Sequence, residues 1–148
     1  MIRPATPDDA PAVARVFGDS RAEAMPWLPV LHTPEEDLAW FTKQLAGEAY
    51  VWDEGGILGY AVLNGDELHD LYIAPEAQGR GIGSALFARV QEARPAGFHL
   101  WAFRDNTRAR GFYERRGCVV VRATDGDNEE GLPDVMYEWR PTGAGAAA

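Results

Sequence analysis

The sequence predicts a mixed α/β fold of about seven strands and four helices, and three observations carry that prediction. Apolar residues switch repeatedly between the two-residue alternation of a strand and the stripe of a helix. Turn signals punctuate the switches, at Glu54-Gly55-Gly56, Asn64-Gly65-Asp66, a glycine-rich stretch over 79–83, and Gly117. The resulting order, β-α-α-β-β-β-α-β-α-β-β, contains hairpins and helical crossovers alike. The sheet is therefore expected to be mixed, with a parallel part around residues 67–103.

Each element has a local reason. IRPAT reads as the first strand, and Pro7-Asp8-Asp9 opens a helix with Ala10, Val13 and Phe17 on its apolar side. Thr33-Pro34-Glu35-Glu36 is a helix start with an N-cap threonine, proline at N1 and acids in the first turn. That helix carries Leu38, Phe41 and Leu45 and stops at Gly47. AYVWD and ILGYAVL form two strands, and the turn at Asn64-Gly65-Asp66 leads to a third, ELHDLYIA. Ile82, Leu86 and Val90 mark a helix running to about Ala93. FHLWAF is a strand, Asp105-Asn106-Thr107 caps a helix ending at Gly117, and CVVVRA and VMYEWR are the last strands. The expected organisation is one domain over residues 1–140 with a frayed tail over 141–148.

Bulk properties narrow the function. At 148 residues the chain can bury about two thirds of its unfolded surface. A net charge of −9 argues against a nucleic-acid binder, which needs a basic face, and favours cationic partners. No apolar run approaches the roughly 20 residues of a membrane helix, and the polar N-terminus does not read as a secretory signal. The single cysteine, Cys118, fits a reducing cytoplasm.

Residues 71–90, LYIAPEAQGRGIGSALFARV, pose the main question, because Gly79, Gly81 and Gly83 stand where a helix should start. Each glycine costs roughly 0.5–1 kcal/mol in a helix interior, which makes sense if backbone amides must approach an anion closely. Strand, glycine turn and helix together present free N–H groups and a positive helix end. The dinucleotide fingerprint fails, because it requires glycine where the chain has Ser84 or Leu86. The nucleotide phosphate loop fails too, for want of a Gly-Lys-Ser/Thr run.

Gln78-Gly79-Arg80-Gly81-Ile82-Gly83 after a strand end instead resembles the acetyl-CoA-binding segment of the GNAT superfamily of N-acetyltransferases. A second stretch, NTRARGFYERRG over 106–117, is similar to that family's other cofactor segment, with Asn106, Ala109, Phe112, Tyr113, Glu114 and Gly117 matching. Cys118 stands where the family commonly has phenylalanine. The resemblance implies a sheet whose central strand pair splays apart to admit the pantetheine arm. It also implies acetyl-CoA as donor, with no metal and no covalent enzyme intermediate. Gln78, Gly79, Arg80, Gly81, Ile82, Gly83 and Ser84 would bind the pyrophosphate, and Arg80 adds a fixed positive charge. Backbone groups of Leu71 and Ile73 would pair with pantetheine, and Asn106 and Ala109 belong to the second cofactor segment.

The implied reaction is direct attack of an amine on the thioester. Tyr113 matches the family's general acid for the departing thiolate. The base is open among Glu67, His69 and a water chain. Regular alternation puts Glu67, His69 and Leu71 on one strand face and Leu68, Asp70 and Tyr72 on the other, so Glu67 and His69 could work together. Residues 124–134 hold five acids, among them Glu129 and Glu130, and suit the rim of a site for a cationic amine. Trp27 and Trp139 are candidates for its apolar part.

The expected function is transfer of acetyl to a primary amine of a small molecule or peptide. A protein N-terminus as acceptor and a non-catalytic acyl-CoA-binding module are the alternatives. A homodimer stays open.

Overall fold

The computed structural model describes residues 1–141, so all but the first residue of the expected tail lies outside the described residues. It has the predicted elements: β1 (Ile2–Pro4), α1 (Ala10–Ala24), α2 (Pro34–Gln44), β2 (Glu48–Asp53), β3 (Ile57–Asn64), β4 (Glu67–Ile73), α3 (Ile82–Ala93), β5 (Phe98–Phe103), α4 (Thr107–Arg115), β6 (Val119–Thr124) and β7 (Asp134–Trp139). Among the described residues the fold is mixed α/β with seven strands and four α-helices, as the sequence predicts. The first helix differs in one detail, because Pro7–Asp9 forms a separate 3-10 turn before α1. None of the helices is long and apolar enough to cross a membrane, among the described residues. The chain divides into two compact units, Met1–Val90 and Gln91–Ala148.

In the first unit β1, β2, β3 and β4 pair successively, all antiparallel. α2 starts where the sequence says it should. Thr33 Oγ1 accepts from the Glu36 amide at 3.1 Å, and Glu36 Oε1 accepts from the Thr33 amide at 2.8 Å, closing a capping box.

The two sheet faces are covered differently. On one, Phe17 of α1 and Phe41 of α2 stand edge-on at 5.2 Å, and they reach Tyr72 and Tyr60 at 5.7 Å each. On the other, α3 buries Ile82, Leu86, Phe87 and Val90. Gly59 makes that approach possible: a Cβ there would stand 2.8 Å from Ile73 Cδ1 and 3.2 Å from both Ile82 Cγ2 and Leu86 Cδ1.

In the second unit β7 pairs antiparallel with β5 and with β6. Asn106 Oδ1 caps α4 by accepting from the Ala109 amide at 3.2 Å. Phe98, Leu100, Val135 and Tyr137 are buried, whereas Val119, Val120 and Val121 of β6 stay exposed.

The ladder between β3 and β4 is interrupted at one place. Leu63 lies opposite Leu68 and Val62 opposite Asp70, which leaves His69 without a partner as the extra residue of a β-bulge. The bulge breaks alternation. Glu67 (opposite Asn64) now shares a face with Asp70 and Tyr72, while Leu68 shares the other with Leu71 and Ile73. The grouping of Glu67, His69 and Leu71 expected from regular alternation is thus corrected, and the physical reason is one inserted residue.

Candidate functional site

The first unit carries the glycine turn. Gly79 and Gly81 adopt φ of 78° and 83°, the left-handed region that side chains resist, and a Cβ on either would meet nothing within 4 Å. Both glycines therefore leave open room over the backbone, in front of the N-terminal turn of α3 with Ile82, Gly83 and Ser84. A backbone bond into the helix runs from the Ala85 amide to the Gly81 carbonyl at 3.1 Å. Amides ahead of Ala85 lie at the positive end of the helix. A cradle of bare backbone next to a positive helix end fits a phosphate.

Two of the predicted polar residues of this turn have protein partners. Arg80 Nη2 lies 2.6 Å from Glu54 Oε2, and this hydrogen bond holds the Glu54 carboxyl below its usual range. The cation that the sequence offers to a phosphate is thus ion-paired. The half-buried Gln78 donates from Nε2 to the Ile73 carbonyl at 3.4 Å. Ser20 Oγ, whose single hydrogen is shared with the Val16 carbonyl at 2.5 Å, also lies 2.8 Å from the Ile73 carbonyl. The Ala74 amide donates to the Leu58 carbonyl at 2.8 Å, so Leu71 and Ile73, alternating with it, turn their own backbone groups away from β3.

On β4 the bulged His69 meets Asp70. His69 Nδ1 lies 3.1 Å from Asp70 Oδ1, and the other oxygen, Oδ2, accepts from the buried Tyr60 hydroxyl at 2.9 Å. Asp70 is 8% exposed. The His69 ring lies 5.2 Å from that of Trp40 on α2, tilted by 41°. The hydrogen bond to Asp70 raises the His69 pKa above its ordinary value; burial opposes this, and the charges of Asp70 and Glu67 add to it. Burial, reinforced by Asp70, pushes the Tyr60 phenol far up, so it stays a donor. Glu67 is half-buried at the start of β4.

The second unit holds Tyr113, buried on α4 with its ring 5.3 Å from Phe112 and 6.1 Å from Tyr137. Tyr137 donates to Glu114 Oε2 at 2.5 Å and accepts from Arg110 Nε at 2.9 Å. Asn106 and Ala109 meet in the helix cap, which engages the Asn106 oxygen. Burial pushes the Cys118 thiol up to about 12, the wrong direction for a nucleophile.

The acidic loop is held by its own bonds. Asn128 both donates to the Leu132 carbonyl and accepts from its amide, at 2.6 and 3.2 Å, and Thr124 pairs with Asp134. Glu129 lies exposed and Glu130 half-buried in this loop. Trp139 packs on Phe98 with ring centres 5.4 Å apart, and in the first unit Trp27 is 43% exposed.

Sequence reasoning missed Asp70, Tyr60 and Trp40. A signal for Asp70 existed in an aspartate flanked by Leu68 and Leu71, but regular alternation turned it away from His69.

Strand, open glycine cradle and helix start, in a mixed α/β fold, make a turn suited to a phosphate-bearing ligand. The chain is similar to known members of one family. The acetyltransferase (GNAT) domain family matches residues 46–119. Peptidyl-lysine N-acetyltransferase YiaC of Escherichia coli (strain K12) is 30% identical over 142 residues, 94% of this chain and 96% of that protein. The crystal structure of a GCN5-related N-acetyltransferase from Rhodopseudomonas palustris superposes with a TM-score of 0.79 at 26% identity, covering 95% of each chain. The PaiA N-acetyltransferase of Thermoplasma acidophilum, solved in complex with coenzyme A, shares the fold with a TM-score of 0.71 at 16% identity, over 95% of this chain and 98% of that one. The chain belongs to the GNAT acetyltransferase family and is an acyltransferase. Acetyltransferases of this fold use acetyl-CoA.

Proposed function

We propose that this enzyme transfers acetyl from acetyl-CoA to a primary amine, with the ε-amine of a lysine in a peptide as its acceptor and residues 1–140 acting as one catalytic domain. The observation that carries the acceptor class is the similarity to a peptidyl-lysine N-acetyltransferase along nearly the full length of both chains. The net charge of −9 and the acidic loop with Glu129 and Glu130 favour a cationic acceptor as well. Trp27 and Trp139 supply apolar surface for its stem. The enzyme acts in the cytoplasm on this reading, where the buried Cys118 stays a thiol.

When bound, acetyl-CoA supplies a thioester whose carbonyl carbon gains the amine nitrogen as the C–S bond breaks. The amides of Gly79 to Ser84 hold its pyrophosphate, with Gln78 bracing the turn through Ile73. The backbones of Leu71 and Ile73 align the arm; since the Ile73 carbonyl already accepts from Gln78 and has the Ser20 hydroxyl against it, its amide carries that role. Asn106 and Ala109 shape the start of α4 for the same ligand. A lysine ammonium must lose two protons to become an amide. A base on β4, His69 or Glu67, takes the first and passes it to solvent. Tyr113 gives a proton to the departing sulfur and is refilled by the second.

Release of coenzyme A thiol from acetyl-CoA, measured against a panel of amines, tests the reading. The panel holds lysine peptides with blocked N-termini, peptides with free N-termini and no lysine, and polyamines. We expect turnover with the blocked lysine peptides. Turnover confined to peptides with free N-termini would overturn the lysine assignment, and thiol release with none of the panel would overturn the amine acceptor.

A further inference from the structure

The sequence offers two bases on β4 and the fold treats them differently. Glu67 is an ordinary strand residue in register with Asn64, whereas His69 is the residue the ladder leaves out. A bulge re-aims a side chain and costs ladder hydrogen bonds, so it is retained where that aim matters. Here it brings His69 Nδ1 to 3.1 Å from Asp70 Oδ1, although adjacent strand residues normally point to opposite faces.

Asp70 is itself fixed. Tyr60, fully buried between Phe41 and Tyr72, donates to its second oxygen at 2.9 Å, so the carboxylate cannot rotate without losing a buried bond. An ionised carboxylate only accepts, so the Nδ1 facing it must carry hydrogen. The neutral ring then has its lone pair on Nε2. Trp40 packs beside the imidazole and restricts its turning.

We propose that Asp70 is the positioning residue for His69: it holds the Nδ1 proton, orients the ring, and so makes Nε2 of His69, rather than Glu67, the acceptor of the first proton from the amine. This rests on the amine-acetyltransferase reading above and names the base within it. His69 gains the proton at Nε2 and becomes an imidazolium paired with Asp70, then returns it to solvent. The titratable groups around the ring are Asp70 and Glu67 on β4, both of which favour the imidazolium. Tyr60 on β3 faces Asp70, and the charges of Tyr72 on β4 and Arg21 on α1 are felt at Tyr60. α2 contributes the uncharged Trp40.

The test pairs kinetics with imidazole nitrogen NMR. In resting wild type, the nitrogen shifts of neutral His69 should report hydrogen on Nδ1, and its titration midpoint should lie above the ordinary 6.5. That midpoint should coincide with the acidic limb of kcat/KM for the acceptor amine. Asp70→Asn keeps the volume and a partner for Tyr60. It should lower the His69 midpoint and the acidic limb together and cut kcat at least about tenfold, with acetyl-CoA KM unchanged.

A limb that stays in place while the His69 midpoint moves would overturn the proposal in favour of another base. So would hydrogen found on Nε2 of the neutral ring. If Asp70→Asn does not fold, the wild-type comparison still decides, because a limb displaced from the His69 midpoint refutes the role. A wild type without amine-dependent thiol release is a separate failure, that of the underlying function.

Discussion

Arg80 and Glu54 are joined by an ion pair of 2.6 Å that runs from the β2–β3 turn to the glycine turn ahead of α3. Both side chains are about half exposed, so solvent and salt weaken the pair. A bound pyrophosphate and Glu54 would therefore compete for one guanidinium. Glu54→Gln should lower acetyl-CoA KM by about two- to fivefold in dilute buffer, a gap that closes near 0.5 M salt as screening takes over. Initial-rate kinetics at the two ionic strengths read this directly, and an unchanged KM in dilute buffer would mean that Arg80 does not meet the donor.

Two glycines of the first unit should fail in different ways. Gly81→Ala forces a side chain into φ of 83° but into empty space, so it should cost about 1–2 kcal/mol of stability and raise acetyl-CoA KM roughly tenfold or more. Gly59→Ala puts its Cβ 2.8 Å from Ile73 Cδ1, and overpacking should cost about 1–3 kcal/mol, mostly without a donor-binding defect. Thermal denaturation with and without coenzyme A separates the two patterns.

Tyr113→Phe removes one oxygen from a buried ring that stays packed on Phe112 and Tyr137. If the phenol delivers the proton to sulfur, kcat should fall about a hundredfold while the Kd for coenzyme A, measured by calorimetry, holds. An undiminished kcat would assign that proton to water.

The N-terminal strand carries a pH signature. Arg3 binds Asp9 through two hydrogen bonds of 2.9 Å and holds its carboxyl below the usual 3.8. The folded value lies below the unfolded one, so the pair stabilises the fold at neutral pH and loses that contribution as pH falls through the lowered value. Asp9→Asn should reduce Tm at pH 7 by the equivalent of roughly 1 kcal/mol, and the deficit should shrink as the buffer is taken down past 3.8. A deficit independent of pH would show that ionisation of Asp9 contributes nothing to stability, against the linkage.

Much of the fold could be read from local chemistry. The α2 start was legible because Thr33 and Glu36 satisfy each other's amides, a bond pattern confined to four consecutive residues. The cradle was legible because left-handed backbone demands glycine. What escaped prediction depends on partners far apart in the chain. Whether Arg80 is free is decided by Glu54, 26 residues away, and what holds Asp70 is Tyr60, ten residues away on another strand. The face assignment on β4 failed for a subtler reason: no single residue announces a bulge, which exists only as a mismatch between two strands.

That mismatch makes β4 one residue longer than β3 needs. Shortening most strands by a residue would invert every side chain beyond the cut, but excising His69 would let Leu68 and Asp70 follow each other in step with Leu63 and Val62. The chain is thus one deletion from a plainer ladder that keeps its hydrophobic faces and has lost its imidazole, and selection for stability alone would have no reason to preserve the difference.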